Sequence, residues 1–232
     1  MEKLVILSGA GISAESGFST FRDSGGLWER YSVEDVCTPE GYMRDPGKVL
    51  EFYNGLRRQL IEAQPNDAHR LVAALEKHFD VTVITQNVDN LHERAGSHKV
   101  IHLHGELMKA TSSNDPNNPD CIVTLPEQHP DIHLGDKAAD GSQLRPFIVW
   151  FEEPVPMIEV AAECVSKADV FVIIGTSLNV YPAAGLVNYV PVDAPVYLID
   201  PKSVKLPYGR KITVIQKKAT DGMKELTKLL IP

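Results

Sequence analysis

The chain has 232 residues, of which 43% are hydrophobic and 23% are charged, and its formal net charge is −8 at pH 7. This length suits one large α/β domain or one domain with a small insertion. The acidic balance and the lack of a basic stripe argue against direct binding of nucleic acid. No apolar run reaches the roughly 18 residues of a membrane span, and no leader-like apolar stretch is seen. The three cysteines are scattered, so a reducing, cytoplasmic setting is expected.

A strand followed at once by a turn of small residues opens the chain. Residues 4–8 are an apolar run that is typical of a buried strand. The run continues into Gly9-x-Gly11-x-x-Ala14, which fits the dinucleotide fingerprint in its Gly-x-Gly-x-x-Ala form. Glycines in such a turn let backbone N–H groups approach a phosphate, because no Cβ is in the way. Taken alone, the spacing also fits a plain tight turn between a strand and a helix.

The stretch after this turn lacks the second strand of an ordinary dinucleotide-binding fold. That fold would place here a strand ending in an acidic residue, whereas residues 31–47 are mixed and interrupted by prolines. Apolar residues then recur at helical spacing over 48–63, and a second helix is predicted over 67–78 with Asn66 as its N-cap. The chain is therefore expected to leave the sheet for a helical excursion.

The remainder of the chain alternates strands with helices. Strands are predicted at 81–85, 100–105, 145–151, 169–175, 195–200 and 211–215, with helices at 157–167 and 221–230. This alternation indicates an α/β fold with a doubly wound parallel, Rossmann-like sheet. Residues 111–140 are rich in Pro, Asn and Asp, and a loop-rich insertion outside the main sheet is expected there.

One domain is expected over residues 1–232. Its large Rossmann-like part would comprise approximately 1–30, 64–106 and 144–232. A small inserted helical and loop subdomain would comprise approximately 31–63 and 107–143.

Polar side chains follow two of the predicted strands. Residues 86–90 read Gln-Asn-Val-Asp-Asn, and Thr176 and Ser177 follow the strand that ends at Gly175. The carboxyl ends of parallel strands are where ligands bind in such folds. Near them, His102 and His104 share one face of a strand because side chains alternate.

Five ordered blocks of the sequence resemble the sirtuin family of NAD-dependent protein-lysine deacylases. The blocks are Gly9-Ala10-Gly11-Ile12-Ser13 with Glu15-Ser16-Gly17, then Phe21-Arg22 with Gly26-Leu27-Trp28, Thr85-Gln86-Asn87-Val88-Asp89-Asn90-Leu91-His92, His104-Gly105-Glu106-Leu107, and Val149-Trp150-Phe151-Glu152-Glu153 with Gly175-Thr176-Ser177-Leu178, Val180 and Pro182. They span nearly the whole chain. The resemblance implies that NAD is consumed as a co-substrate.

The resemblance also implies a set of NAD contacts. It places the pyrophosphate at Gly9, Ala10, Gly11 and Ser13; the nicotinamide-ribose side at Ser16, Phe21, Arg22 and Trp28; ribose or its ordered water at Gln86 and Asn87; the nicotinamide carboxamide at Asp89; phosphate and ribose at Gly175, Thr176 and Ser177; and adenosine at Asp200 and Ala219. A carboxylate at Asp89 suits the N–H donors of an amide.

The chemistry implied by the resemblance is acyl transfer from a modified lysine to ADP-ribose, with release of nicotinamide. His104 is the candidate general base, since an imidazole with a pKa near neutrality can take a ribose hydroxyl proton. His104 is chosen over His102 because His-Gly is the family pattern, and Asn87 is the second candidate catalytic residue. The candidate substrate-binding residues are Tyr53, Arg57, Val149, Trp150, Phe151 and Val180, with the peptide pairing as an extended strand.

The segment after Leu107 departs from the family pattern. Most sirtuins carry two cysteine pairs here that hold a structural zinc ion, and such sites need about four ligands. This segment holds Cys121 alone, although His129 and His133 have a suggestive i, i+4 spacing. A solvated polar loop is favoured over a metal site, so zinc is expected to be absent. Pro and Asx turns with local packing would hold the subdomain instead.

A second departure concerns the acyl group. Family members that remove succinyl or malonyl groups use Tyr-x-x-Arg, and Leu56 occupies the arginine position after Tyr53. Arg57 comes one residue late, which turns it by about 100° around the helix. Tyr53 and Arg57 are nevertheless i, i+4 and could share a flank. Neutral acyl groups, acetyl first, are expected to be favoured over acidic ones.

Two other functions compete with deacylation. The first is an NAD glycohydrolase or ADP-ribosyltransferase on the same fold, and the peptide-binding strand at 149–151 speaks against it. The second is a non-catalytic NAD-sensing module, and the joint presence of Asn87, Asp89 and His104 speaks against it. Acyl-lysine proteins or peptides are the expected partners, and the family suggests a monomer.

Overall fold

The structure is a computed structural model that describes residues 1–18, 31–204 and 210–231. The described strands are β1 (Lys3–Ser8), β2 (Asp80–Thr85), β3 (Val100–His102), β4 (Gly105–Ser112), β5 (Val123–Thr124), β6 (Leu144–Ile148), β7 (Val170–Ile174), β8 (Val196–Ile199) and β9 (Ile212–Ile215). The helices are α1 (Val33–Val36), α2 (Pro39–Arg44), α3 (Pro46–Glu62), α4 (Asp67–Ala74), α5 (Leu91–Arg94), α6 (Ile158–Ser166) and α7 (Ala219–Leu230). None of the helices in these ranges is long and apolar enough to cross a membrane.

Six strands form one sheet in the order β3-β2-β1-β7-β8-β9, and every neighbouring pair is parallel. The central strands are apolar throughout because both faces of the sheet are covered. Along β1, Leu4 and Ile6 pack into a core with α4 and α7, whereas Val5 and Leu7 pack into a core on the opposite face with α6. The predicted doubly wound parallel sheet is confirmed.

The helical excursion after the first turn is also present. Asp45 caps α3 by accepting a hydrogen bond from the backbone N–H of Lys48. Pro46 occupies the first turn, where a backbone N–H would have no partner within the helix. Asn66 caps α4 as predicted, and His69 completes a capping box with it. The chain returns to the sheet at β2, so β1 and β2 are neighbours although more than seventy residues separate them.

A second sheet differs from the prediction. Strands β5-β4-β6 form a three-stranded antiparallel sheet, where a loop-rich insertion was expected. Strand β6 pairs with β4 and not with the main sheet, so the small part of the molecule extends beyond residue 143. One face of this sheet packs against α3 through Leu107, Ile148 and Phe52. The Pro- and Asn-rich composition of 111–140 correctly indicates loops, but it gives no sign of the short strand β5.

Candidate active site

Two turns interlock at the carboxyl ends of β1 and β7. The N–H of Gly9 donates to the carbonyl of Ile174 (3.0 Å), and the N–H of Gly11 donates to that of Gly175 (2.8 Å). A Cβ added at Gly11 would lie 2.6 Å from the Gly175 Cα, and Gly175 itself has φ +64. Side chains are therefore excluded here on both turns. Such a bare backbone is what close approach to a pyrophosphate requires.

A buried polar cluster lies beside these turns. The Ser13 hydroxyl donates to Asp89 Oδ2 (2.9 Å), and Asn87 Nδ2 donates to the Ser13 oxygen (3.1 Å). The backbone N–H of Leu91 holds the other Asp89 oxygen at 3.1 Å. Burial raises the pKa of Asp89, and these hydrogen bonds oppose the rise. The structure thus brings together three predicted residues, Ser13, Asn87 and Asp89, with the carboxylate deep in the site.

The end of β2 is tied to the end of β7 by a side-chain contact. Gln86 Nε2 donates to the Thr176 hydroxyl at 2.9 Å. Thr176 in turn accepts from the N–H of Leu178 at 3.3 Å. The predicted residues that follow β2 and β7 therefore share one edge of the sheet, and Ser177 follows directly in the same turn.

His104 stands directly after β3, between the two sheets. Its Nδ1 lies 2.9 Å from the Gln86 carbonyl oxygen, which can only accept, so Nδ1 carries the proton. Burial lowers the pKa of His104, and the bond to Gln86 offsets only part of this. The ring is therefore neutral at pH 7, with the lone pair on Nε2. This is the protonation state that a general base needs.

Gly105 explains why a glycine follows this histidine. It has φ +83, and a Cβ there would lie 2.1 Å from the carbonyl oxygen of Phe147. Strand β6 can approach β4 closely only because this side chain is missing. The N–H of Val149 then donates to the His104 carbonyl (3.0 Å), so the predicted peptide-binding strand lies beside the candidate base.

Two buried histidines near the cluster were not predicted as site residues. His69 Nε2 lies 3.5 Å from the Ser13 oxygen, and His92 Nε2 lies 3.0 Å from the Ser8 oxygen. Their rings make an edge contact at 5.0 Å. Burial lowers the pKa of His69 to about 4 and that of His92 well below its usual value. The spacing of Asn66 and His69 as N-cap and N3 is the signal that could have identified His69.

The predicted adenosine contacts lie further along the same edge. Asp200 follows β8 and accepts from the N–H of Lys202 (2.8 Å). Ala219 is buried at the first residue of α7. Glu15 joins this helix to the glycine turn, because its carboxylate accepts from both the N–H (3.1 Å) and the hydroxyl (2.8 Å) of Thr220.

Tyr53 and Trp150, two of the predicted substrate-binding residues, contact each other. The Trp150 indole N–H donates to the Tyr53 hydroxyl at 3.0 Å, and both residues are buried. The Cys37 thiol lies 3.5 Å from the same hydroxyl, and burial raises the pKa of this thiol to about 11. Leu56 packs into the same cluster. Phe151 (45% exposed) and Val180 (half-buried) lie nearer the surface.

Arg57 has a different position from the one its prediction as a substrate-binding residue requires. Its side chain is completely buried, and its guanidinium donates to the Asn54 side chain and to the Leu107 carbonyl (3.4 Å). Burial lowers its pKa to about 10. Because its side chain has no surface exposed to solvent, Arg57 is a structural residue between α3 and β4. The helical rotation by one position accounts for this.

The ion pair between Arg145 and Glu153 packs against the ring of Trp150. Arg145 donates to both oxygens of Glu153 (2.7 and 3.0 Å) and to the Ile148 carbonyl (2.8 Å). Its guanidinium carbon lies 3.4 Å from the centroid of the Trp150 ring. The Trp150 N–H donates to Glu153 as well (2.8 Å). This bidentate, stacked arrangement is specific to arginine.

Three predicted NAD contacts, Phe21, Arg22 and Trp28, lie outside the described residues. Ser16 is described, and its hydroxyl accepts from Asn66 Nδ2 at 3.0 Å. Ala10 lies in the glycine turn, and Asn66 also donates to the carbonyl of Ile12 (2.7 Å). Asn66 is therefore a further residue that shapes the turn. Within the described ranges, no group of three or more His, Cys, Asp or Glu side chains is arranged to hold a metal ion.

Comparison with known proteins agrees with this geometry. The model of the Sir2 family matches residues 9–182. An NAD-dependent protein deacylase of Bacteroides thetaiotaomicron is 63% identical over 232 residues, which is all of this chain and 99% of that protein. A solved Sir2 homologue in complex with NAD is 40% identical, covers 98% of this chain and 89% of its own, and has a TM-score of 0.87. A Sir2 complex with a p53 peptide and NAD+ is 28% identical, covers 97% and 92%, and has a TM-score of 0.77. This chain belongs to the Sir2 family.

Proposed function

We propose that this chain is an NAD-dependent protein deacylase that moves an acyl group, acetyl first, from a lysine side chain to ADP-ribose and releases nicotinamide. One observation carries the proposal: the bare glycine turns, the buried Asp89 cluster and the neutral His104 meet at one edge of the sheet. Each of the three would be needed by this chemistry. The family and its relatives support NAD-dependent deacylation.

The described residues fit NAD. The turns at Gly11 and Gly175 exclude any Cβ, and so leave a bare backbone surface that a pyrophosphate can approach closely. The carboxylate of Asp89 offers an acceptor for the carboxamide N–H groups of nicotinamide. When bound, NAD supplies the ribose carbon that takes the acyl oxygen and the nicotinamide that leaves. Ser13 and Leu91 hold Asp89 in place through its two oxygens.

His104 is the proton acceptor in this proposal. Its Nδ1–H is held by the Gln86 carbonyl, and this leaves the lone pair on Nε2, on the side of the ring away from that carbonyl. A ribose hydroxyl that has to attack the bound acyl group would lose its proton to Nε2. The backbone N–H of Val149, in the proposed peptide-binding strand, donates a hydrogen bond to the His104 carbonyl. The acyl-lysine therefore enters beside the base.

The acyl preference proposed here is for neutral groups. Leu56 is buried beside Tyr53 and Trp150, so this wall of the site is apolar. The guanidinium of Arg57 is committed to Asn54 and to the Leu107 carbonyl. An acidic acyl group would therefore bring an unpaired carboxylate against apolar surface, which is unfavourable.

Competition between acetyl- and succinyl-lysine peptides of one sequence tests this preference. The natural chain is expected to favour acetyl, and Leu56→Arg should shift the ratio of kcat/KM values toward succinyl. The matched control is Leu56→Met, which keeps the pocket apolar. A natural chain that prefers the succinyl peptide would contradict the proposed preference.

We also propose that the small part of the molecule is held without zinc. Asn54 on α3 pairs with the backbone of Ile132 in both directions, donating to its carbonyl (2.9 Å) and accepting from its N–H (3.0 Å). Ser112 and Asp140 join the ends of the β4–β6 connection (2.6 Å). These contacts support packing as the source of order. Finding one equivalent of zinc in purified protein would refute the idea.

One assay separates deacylation from the competing functions. NAD is incubated with and without an acetyl-lysine peptide, and nicotinamide release is followed. Release that depends on the peptide supports deacylation, release without peptide indicates a glycohydrolase, and no release indicates a binding module. The cytoplasmic setting and the monomeric state stay predictions.

A further inference from the structure

His102 is a histidine that the proposed mechanism does not use. It ends β3, two residues before His104, and its side chain is 8% exposed. Its Nδ1 lies 3.1 Å from the Asn87 carbonyl oxygen, and its Nε2 lies 2.7 Å from a carboxylate oxygen of Glu93. A carbonyl and a carboxylate only accept hydrogen bonds, so both ring nitrogens have to donate. A ring that donates from both nitrogens is an imidazolium cation.

Neutral His104 and cationic His102 thus bind the carbonyls of two successive residues in one turn. His104 donates to the carbonyl of Gln86, and His102 donates to the carbonyl of Asn87. The partner of His102 on its other side is the Glu93 carboxylate, which stabilises a charge on the ring. Both histidines bind carbonyl groups of one turn, and the Glu93 carboxylate gives only His102 an acidic partner.

The charged groups around His102 come from three elements. Glu93 on α5 and Glu106 on β4 are anionic, Asp89 lies on the turn after β2, and His92 on α5 is kept neutral by burial. Burial lowers the pKa of His102, but Glu93, Glu106 and the Asn87 carbonyl outweigh it, and the net pKa is raised. The charge on His102 lowers the pKa of Asp89, and the Glu93 carboxylate raises it.

The position of this cation matters because Asp89 is 2% exposed. A carboxylate buried this deeply is disfavoured unless donors or positive charge compensate it. Ser13 and the Leu91 N–H supply two donors, and His102 supplies the positive charge. The same cation holds the Asn87 carbonyl, and thereby the backbone that carries Asp89.

We propose that His102 is a positioning residue: a protonated imidazole, held by Glu93, that fixes the Asn87 carbonyl and thereby the backbone that presents Asp89 to the nicotinamide part of the site. The charge state of His102 stands on the contacts alone. Its consequence for NAD rests on the proposed function.

Nitrogen NMR of the full-length protein, labelled at histidine, tests the charge state directly. The His102 signals are assigned by their loss in His102→Gln. Both ring nitrogens are expected to be protonated at pH 7, and Glu93→Gln should lower the pKa of His102 by about one unit or more, because one opposite charge is removed. The matched control is Glu76→Gln, which breaks the exposed pair of Glu76 with His98 (2.5 Å) and should leave His102 unchanged. A neutral His102 at pH 7, or a pKa that does not respond to Glu93→Gln, would overturn the proposal.

Kinetics then test the positioning role. Glu93 is 38% exposed at its side chain, so Glu93→Gln is expected to fold, and thermal unfolding checks this. The variant should raise KM for NAD several-fold with a smaller change in kcat, and it should move the alkaline limb of kcat/KM to lower pH. The acidic limb, set by His104, should stay in place. Loss of kcat with unchanged KM and an unmoved alkaline limb would contradict the role. If the natural chain does not turn over any acyl peptide, the proposed function fails, while the NMR result still decides the charge of His102.

Discussion

Removal of the Glu153 carboxylate should destabilise the wall of the substrate site more than any ordinary surface change. Glu153 accepts two hydrogen bonds from Arg145 and one from the Trp150 backbone. In Glu153→Ala, the Arg145 guanidinium would remain beneath the Trp150 ring with its main partner gone. The side chain of Arg145 is only 5% exposed, so water can replace little of the lost interaction.

The size of the effect follows from this burial. Breaking a buried ion pair by removing one partner costs about 3–5 kcal/mol, because the remaining charge is left uncompensated. For a chain of this length each kcal/mol corresponds to about 2–4 °C, so a fall in Tm on the order of 10 °C is expected. The KM for an acetyl-lysine peptide should rise as well, since Trp150 and the strand at 149–151 lose their support.

Urea unfolding and thermal unfolding of Glu153→Ala measure this directly. The control is Glu163→Ala, which breaks the exposed pair with Lys167 on α6 (2.5 Å) and should leave Tm unchanged. Replacement of both Arg145 and Glu153 by apolar residues should recover part of the lost stability, because no buried charge is then left. A loss below about 1 kcal/mol in Glu153→Ala would refute the idea that this pair supports the wall.

Three further predictions concern the core of the site. Gly11→Ala should lower stability by about 1–3 kcal/mol and weaken NAD binding, because its Cβ would meet the Gly175 backbone. An unchanged affinity for NAD in calorimetry would count against this close packing of the two turns. His69 has its pKa lowered to about 4, so the unfolded chain takes up the proton first as the pH falls below 6.5, and stability is lost. At pH 5 this amounts to about 2 kcal/mol, and His69→Gln should remove that share of the stability lost between pH 7 and pH 5 in unfolding curves, while the share of buried His92 remains. Glu15→Gln should loosen the start of α7 and cost about 1 kcal/mol, and amide exchange at Thr220 that stays as slow as in the natural chain would contradict this.

Local sequence patterns predicted those elements whose apolar residues form a continuous run or recur at a regular spacing. The apolar run of β1 and the β-branched run of β2 identified central strands, because buried parallel strands are apolar on both faces. Strand β4 was missed, since its residues do not alternate strictly between polar and apolar and lead into a Pro- and Asn-rich loop. The antiparallel partner of β6 follows from tertiary contacts that no short window contains.

The candidate site was predicted unevenly for a related reason. His104 and Asp89 were identified by resemblance to a family, whereas their geometry depends on Ser13 and Gln86, which lie far away in the sequence. Arg57 shows the limit of helical spacing. Spacing left two orientations open, one rotated away from the pocket and one on the flank of Tyr53, and the contacts with Asn54 and Leu107 show that the charge is buried.

In the proposed function, His104 acts as the base of a peptide-dependent reaction that consumes NAD. The most direct measurement is the pH dependence of nicotinamide release and of acetyl transfer to ADP-ribose, with an acetyl-lysine peptide, for the natural chain and for His104→Ala. One acyl group should be transferred per nicotinamide released, with an acidic limb below pH 6.5, because burial lowers the pKa of His104. His104→Ala should lose acyl transfer while it still binds NAD. Transfer that persists in His104→Ala, or nicotinamide release that does not depend on the peptide, would contradict the proposed function.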